Sequence, residues 1–371
     1  MSGIIYRKII KPVLFNFPAD QVHAMVLTLG RWLGSSGIAR KFIGHLFSYH
    51  NKSLHINLAG LSIKNPVGLA AGFDYDADLM RITPSIGFGF QSIGTVTLGA
   101  YRGNPRPMLG RLPKSRSLLV NKGFKSAGMQ AVLKKIGKNN FEIPIGLSIG
   151  ATNRRYENFN EITEEIAAGF SLVRIAENIQ YYELNISCPN LINIASFTER
   201  VDEPAGFTAL LARLNKEQIA KPLFVKMPLE KSPEEIIALC EIVIKYSWIS
   251  GIILSNLAKD RGNSAFDPEE IKNAGEGNFS GKPTEKKSNE LISALYEKYR
   301  GKLIIIGCGG IFSGADAYEK IKRGASAVQM ITGMIYMGPG QIGVINKEIA
   351  DLLKKDGFKS VAEAVGTKIT E

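Results

Sequence analysis

Cysteine is scarce in this 371-residue chain: Cys188, Cys240 and Cys308 are the only three, and none stands in a CxxC pair. Such spacing supplies neither a thiolate set for a metal nor a disulfide framework, and it fits a reducing compartment. Histidine is almost as sparse. His23, His45, His50 and His55 all precede the first interior strand identified below, so a base in the core of the fold has to be another residue type. No apolar run approaches the roughly 18 residues that a membrane-crossing helix requires. No signal peptide is expected, because Arg7, Lys8, Lys11 and Pro12 interrupt the stretch from Met1 to Phe17. Solenoid-type repeats and low-complexity segments are missing as well, which excludes repeat architectures.

What is present describes a soluble globular protein: 45% hydrophobic and 22% charged residues. The net charge of +12 is unevenly spread. Residues 1–52 hold seven basic side chains and one acid, a local balance of +6. A segment of that kind meets anionic lipid, nucleic acid or simply water.

Eight short, near-continuously apolar runs alternate with helical patterns. They cover residues 66–72, 90–97, 143–150, 181–188, 222–227, 251–256, 303–310 and 327–333. Runs apolar throughout belong to strands buried on both faces. Eightfold strand–helix alternation predicts an α/β fold, a closed (β/α)8 TIM barrel, with an open doubly wound sheet as the structural alternative. Such a barrel needs about 250 residues, and this chain is longer. The surplus goes to two long connections, 98–142 and 257–302, and to an N-terminal helical extension, residues 1–58, preceding the barrel over 59–371. Within the extension two helices are expected, over 19–33 and 37–49, each with an apolar face and basic neighbours. Periodicity alone does not decide whether they dock on the barrel or form a lid on a membrane surface.

The most informative motif ends the fourth run: Asn185-Ile186-Ser187-Cys188-Pro189-Asn190. Two carboxamides flank a thiol, and amides suit a flat ring of alternating C=O and N–H groups. A thiol with a reference pKa of about 8.5 can serve as a general base, although a lone Cys at a strand end is usually a small buried hydrophobe. Paired glycines at the last two runs, around Gly310 and Gly333, suit a phosphate site. Lys226, inside an apolar run, needs an anionic partner if it points inward, and otherwise snorkels out at the strand end.

Together these motifs resemble the dihydroorotate dehydrogenase family from about Phe15 to Gly338. The resemblance rests on Asn65 to Asp74, Ile93 to Thr97, the Cys188 motif, Lys226, Ser255-Asn256, Ser280 to Pro283 and the glycine loops. Phe17 to His23 resembles the opening helix of its membrane-associated, quinone-dependent class. The resemblance implies FMN, with Ala71, Gly72, Tyr75, Thr95 and Ser148 near the flavin. It places Asn185, Lys226 and Ser255 at the flavin ring, and Gly281, Gly310, Ile331, Thr332 and Gly333 at the ribityl phosphate. Substrate is expected against Asn121, Lys122, Gly123, Phe124, Asn185, Asn190 and Asn256, with Cys188 as catalytic base. The implied partners are a dihydropyrimidine, a quinone and, through the N-terminal helices, the inner face of the cell membrane in a cytoplasmic protein. Nucleic acid is not expected as a partner, nor a metal.

The chain departs from the family at several positions. Cys188 stands where the quinone-dependent class has Ser. Tyr75 replaces a Lys, Val120 an Asn, Leu257 a small hydroxyl residue and Ser148 an Asn. Leu191-Ile192-Asn193 replaces Thr-Pro-Gly. Lys122, two positions past Val120, is a candidate for restoring the positive charge lost at Tyr75. An uncharged dihydropyrimidine substrate, an RNA-modifying relative of the dihydrouridine synthases and a non-catalytic flavin-binding paralogue are the competing readings.

Overall fold

The computed structural model describes residues 2–174, 176–191, 200–254 and 256–369. Eight parallel strands close into a barrel: β1 (Val67–Leu69), β2 (Phe90–Val96), β3 (Ile145–Ile149), β4 (Tyr181–Asn185), β5 (Leu223–Lys226), β6 (Ile249–Leu254), β7 (Ile304–Cys308) and β8 (Ala327–Met330). All eight expected runs are strands. The ring closes where β8 pairs with β1, Val328 opposite Val67. Helices cover the outside, for instance Phe159–Val173, Pro233–Val243 and Gly314–Lys322. Capping boxes start two of them, Ser232 with Glu235 and Ser313 with Asp316, each satisfying backbone donors that a helix start leaves bare.

The barrel floor is apolar. Phe90, Tyr181, Phe224, Ile253, Ile306 and Ala327 point inward and meet Leu58 and Ile63. Those last two come from a hairpin, Ile56–Leu58 paired with Leu61–Ile63. The boundary expected at residue 58 therefore falls inside a hairpin that seals the barrel, and the extension ends before it.

Besides the two helices expected, the extension holds a helical segment at its start and a short 3-10 turn, Lys52–Leu54, at its end. Residues 2–15 form a first segment, helical with a π-helical middle, ahead of α1 (Ala19–Ser35) and α2 (Gly37–Phe47). Specific contacts dock it. The Asp20 carboxylate accepts from the backbone N–H groups of Met108 and Leu109 at 3.0 and 3.4 Å. Arg111 donates to the Phe17 carbonyl at 2.7 Å, and Tyr6 donates to the Ile335 carbonyl at 2.7 Å. The two long connections meet as a three-stranded antiparallel sheet with Ser117–Val120 between Leu109–Leu112 and Asn278–Gly281. This sheet stands over the C-terminal mouth of the barrel and carries the extension.

Gly146 on β3 exists because of the floor: a Cβ there would lie 2.1 Å from the Tyr181 ring. Overpacking of this kind costs about 1–3 kcal/mol. Gly146→Ala is expected to lower the thermal unfolding midpoint, and Tyr181→Leu in the same chain to recover part of the loss. An unchanged midpoint in the single variant would show that the floor is loosely packed.

Candidate active site

Strand direction gathers the chemistry at one end. Asn185 and Lys226 end β4 and β5, Asn256 lies two residues past β6, Gly310 two past β7, and Ile331 directly follows β8. Along with Ala71, Gly72, Thr95, Cys188 and Asn190 they line one cavity of about 560 Å³. It runs from the barrel mouth outward between the N-terminal helices, where Val22, Val26, Leu33, Phe47 and Leu14 form its walls.

The carboxamides are held before any ligand arrives. Asn185 Nδ2 donates to Thr95 Oγ1 at 2.7 Å, and Thr95 Oγ1 lies 3.0 Å from Ser148 Oγ. Asn185 Oδ1 accepts from the N–H and hydroxyl of Ser187 at 3.1 and 2.9 Å. Asn256 Nδ2 donates to the Ser187 carbonyl at 3.0 Å and its hydroxyl at 2.8 Å. The Asn190 carbonyl accepts from Asn104 at 3.0 Å, and Asn190 Oδ1 from Asn278 Nδ2. The turn bearing Cys188 is thus tied to three sides of the mouth.

Cys188 is partly exposed, and the exposure is to the cavity. Burial pushes its thiol up to about 12, against the backbone N–H of Asn190 and the ammonium groups of Lys226 and Lys259, which act in the opposite direction. Lys226 points inward: only 4% exposed, it lines the cavity and has no hydrogen-bond partner among the described residues. A buried ammonium without an acceptor is costly, so the position fits a group rich in ring carbonyls or anionic character. Among the described residues the lining contains Arg111, Lys122, Lys125 and Lys226 but no Asp or Glu.

Gly281, with φ +84°, closes the opposite side, where a Cβ would meet the Arg116 carbonyl at 2.2 Å. Beside it Ser280 Oγ and Thr332 Oγ1 are 2.8 Å apart. Gly310 and Gly333 border the same pocket. Close backbone and paired hydroxyls suit phosphate oxygens.

Two sequence expectations change. Asn121 does not line this cavity. Leu118, Val120 and Lys122 line it, while Asn121, just past the end of the strand, accepts from Asn104 Nδ2 at 2.8 Å. Ser148 stands behind Thr95 as a support and does not line the cavity either. Tyr75, Lys122, Gly123, Phe124, Ile331, Thr332 and Gly333 do line it, whereas Ser255, Ile192 and Asn193 lie outside the described residues.

His23 was not anticipated. It reaches the cavity from α1, its Nε2 donating to the Phe73 carbonyl at 2.8 Å and its Nδ1 lying 3.1 Å from Lys122 Nζ. Helical periodicity signals only that one face of α1 is buried, not that a histidine on it meets the active site.

Comparison with known proteins agrees with this geometry. The family model described as dihydroorotate dehydrogenase matches residues 53–353. The "Dihydroorotate dehydrogenase (quinone)" of Trichodesmium erythraeum is 34% identical over 98% of this chain and 98% of its own length. The protein of the same name from Gloeobacter violaceus is 32% identical over 98% of each chain. Among solved structures, the DHODH of Eimeria tenella in complex with ferulenol superposes with a TM-score of 0.82 at 25% identity, covering 96% of this chain and 98% of that one. The chain is an oxidoreductase that belongs to the dihydroorotate dehydrogenase family.

Proposed function

We propose that this enzyme oxidises dihydroorotate to orotate, with FMN as resident cofactor, Cys188 as base and a quinone as electron acceptor. The observation that carries the reading is the convergence of Cys188, Lys226, Asn185, Asn190 and Asn256 on one cavity that no carboxylate lines among the described residues. When bound, FMN would supply the two-electron chemistry, as acceptor for the hydride lost from substrate C6 and donor to quinone. Lys226 would face the flavin ring, and the backbone around Gly281, Gly310 and Gly333 would hold the phosphate.

The chain's own part is positioning and proton transfer. The asparagines fix the substrate ring so that its C5 hydrogen faces the Cys188 sulfur, which takes the proton. Phe124 and the sheet over the mouth exclude water. An anionic substrate suits a lining with four cations better than an uncharged dihydropyrimidine does.

For the acceptor, the supporting feature is the apolar passage between the N-terminal helices. No described helix is long and apolar enough to cross a membrane. Yet among the described residues twelve of the fourteen exposed large hydrophobic side chains lie between Ile4 and Leu46, including Trp32 at 68%, Ile38 at 84% and Phe42 at 65%. With the basic groups of the same segment they make a surface suited to the inner face of the cell membrane.

Anaerobic mixing of the purified protein with L-dihydroorotate is expected to bleach an FMN absorbance band. A flavin that bleaches with dithionite but not with dihydroorotate would overturn the substrate.

The base has its own test. Below its pKa a thiol gains thiolate tenfold per pH unit, so flavin reduction should accelerate from pH 7 towards pH 10 without levelling off, given a thiol raised to about 12. Cys188→Ala should slow it by about 10²–10⁴-fold; an unaltered rate and profile would assign the proton elsewhere.

For the lid, a Trp32→Ser, Ile38→Glu, Phe42→Glu variant should lose flotation with anionic liposomes and slow quinone turnover. Its flavin reduction by dihydroorotate should be unchanged, and full flotation would remove the membrane surface from the reading.

A further inference from the structure

Four cations line the cavity, and their surroundings differ. Lys226 lies within electrostatic reach of Cys188 at the strand ends. Arg111 is engaged by the extension, stacked 4.6 Å from the Phe15 ring centroid and bonded to the Phe17 carbonyl. Lys122 and Lys125 remain, both over the Tyr75 ring, with Nζ 4.7 and 5.1 Å from its centroid.

The direct contacts of Lys122 found among the described residues are with neutral groups, the His23 imidazole and the Tyr75 ring. His23 Nε2 must carry the hydrogen it gives to the Phe73 carbonyl, so in the neutral ring Nδ1 is the acceptor for Lys122 Nζ. Burial and the ammonium of Lys122 hold His23 down at about 3, which keeps it neutral. No ion pair to Lys122 is found among the described residues. The nearby carboxylates are occupied elsewhere, Asp20 by the Met108 and Leu109 backbone and Asp76 by the Ala127 backbone. Burial lowers Lys122 to about 7, Asp20 and Asp76 pull upward, and Lys125 adds to the lowering. An anion beside it would restore the full charge.

We propose that Lys122, oriented by His23 of α1 and by the Tyr75 ring, is the cation that binds the carboxylate of the pyrimidine substrate and so sets specificity for a charged ring. This rests on the function proposed above. It also makes the N-terminal extension a contributor to substrate recognition as well as a lid.

The test is binding of orotate and of uracil to the oxidised holoenzyme, followed by perturbation of the flavin spectrum. In Lys122→Gln orotate should weaken about ten- to hundredfold while uracil is unchanged, and Lys122→Arg should retain most orotate affinity. Lys122→Met, which keeps the side-chain length, repeats the comparison should the amide variant lose flavin. His23→Ala should weaken orotate by a smaller factor, again without effect on uracil. Orotate and uracil weakened equally, or orotate untouched with only the quinone KM altered, would overturn the assignment. A wild-type holoenzyme that binds uracil but ignores orotate would instead remove the dihydroorotate reading itself, and this proposal with it.

Discussion

A closed ring of eight strands has an interior that must be filled, and the way this one is filled determines what its mouth can do. Large apolar side chains and the hairpin plug occupy the floor. One layer up, Ser92, Glu183 and Gln329 bond to one another, with Gln329 Nε2 2.9 Å from Ser92 Oγ and 2.8 Å from Glu183 Oε1. Tyr181 links the two layers through its hydroxyl, 2.8 Å from Ser92 Oγ. Only above this plug does the interior open, at Asn185 and Lys226. An apolar floor and a bonded middle layer hold those side chains at fixed height at the cavity wall.

The mouth is then an electrostatic problem. Among the described residues no carboxylate lines the cavity, and buried cations without such partners are destabilising. The chain limits that cost with neutral acceptors and aromatic faces, placing His23 and Tyr75 against Lys122. The cavity is therefore prepared for anions, and binding them relieves a cost already present in the fold. The same surroundings oppose ionisation of Cys188. Burial outweighs the pull of Lys226, so the thiol stays protonated at neutral pH, and basicity must be bought by raising pH or by rearrangement around the ligand.

Much of this was legible in the chain. Strands buried on both faces read as apolar runs, so all eight were found, with ends off by a few residues. The Cys188 motif carried its own chemistry, since thiol and amides are adjacent in sequence. Residues that meet only in space were harder. The helix over 2–15 was hidden by Pro12 and three basic residues, which read as interruptions. The hairpin at 56–63 is too short to stand out and was divided by the expected boundary. Asn121 was misplaced because it lies just past the end of the strand, where alternation no longer sets the direction of a side chain.

The departures at 75 and 120–122 look in sequence like independent losses, a charge removed at one site and an amide displaced at another. In space they are one cluster. The Tyr75 ring sits beneath two ammonium groups and beside an imidazole, 5.5 Å between ring centroids. A lysine at 75 would bring a third ammonium to Lys122 and Lys125, and like charges a few ångströms apart in a partly buried pocket repel strongly. The aromatic face does the reverse, attracting both cations without neutralising either. Tyr75 is therefore compatible with lysines at 122 and 125, and those lysines are compatible with Tyr75. The positive charge sits just past the end of the roof strand, against the Tyr75 ring, where His23 of α1 holds it.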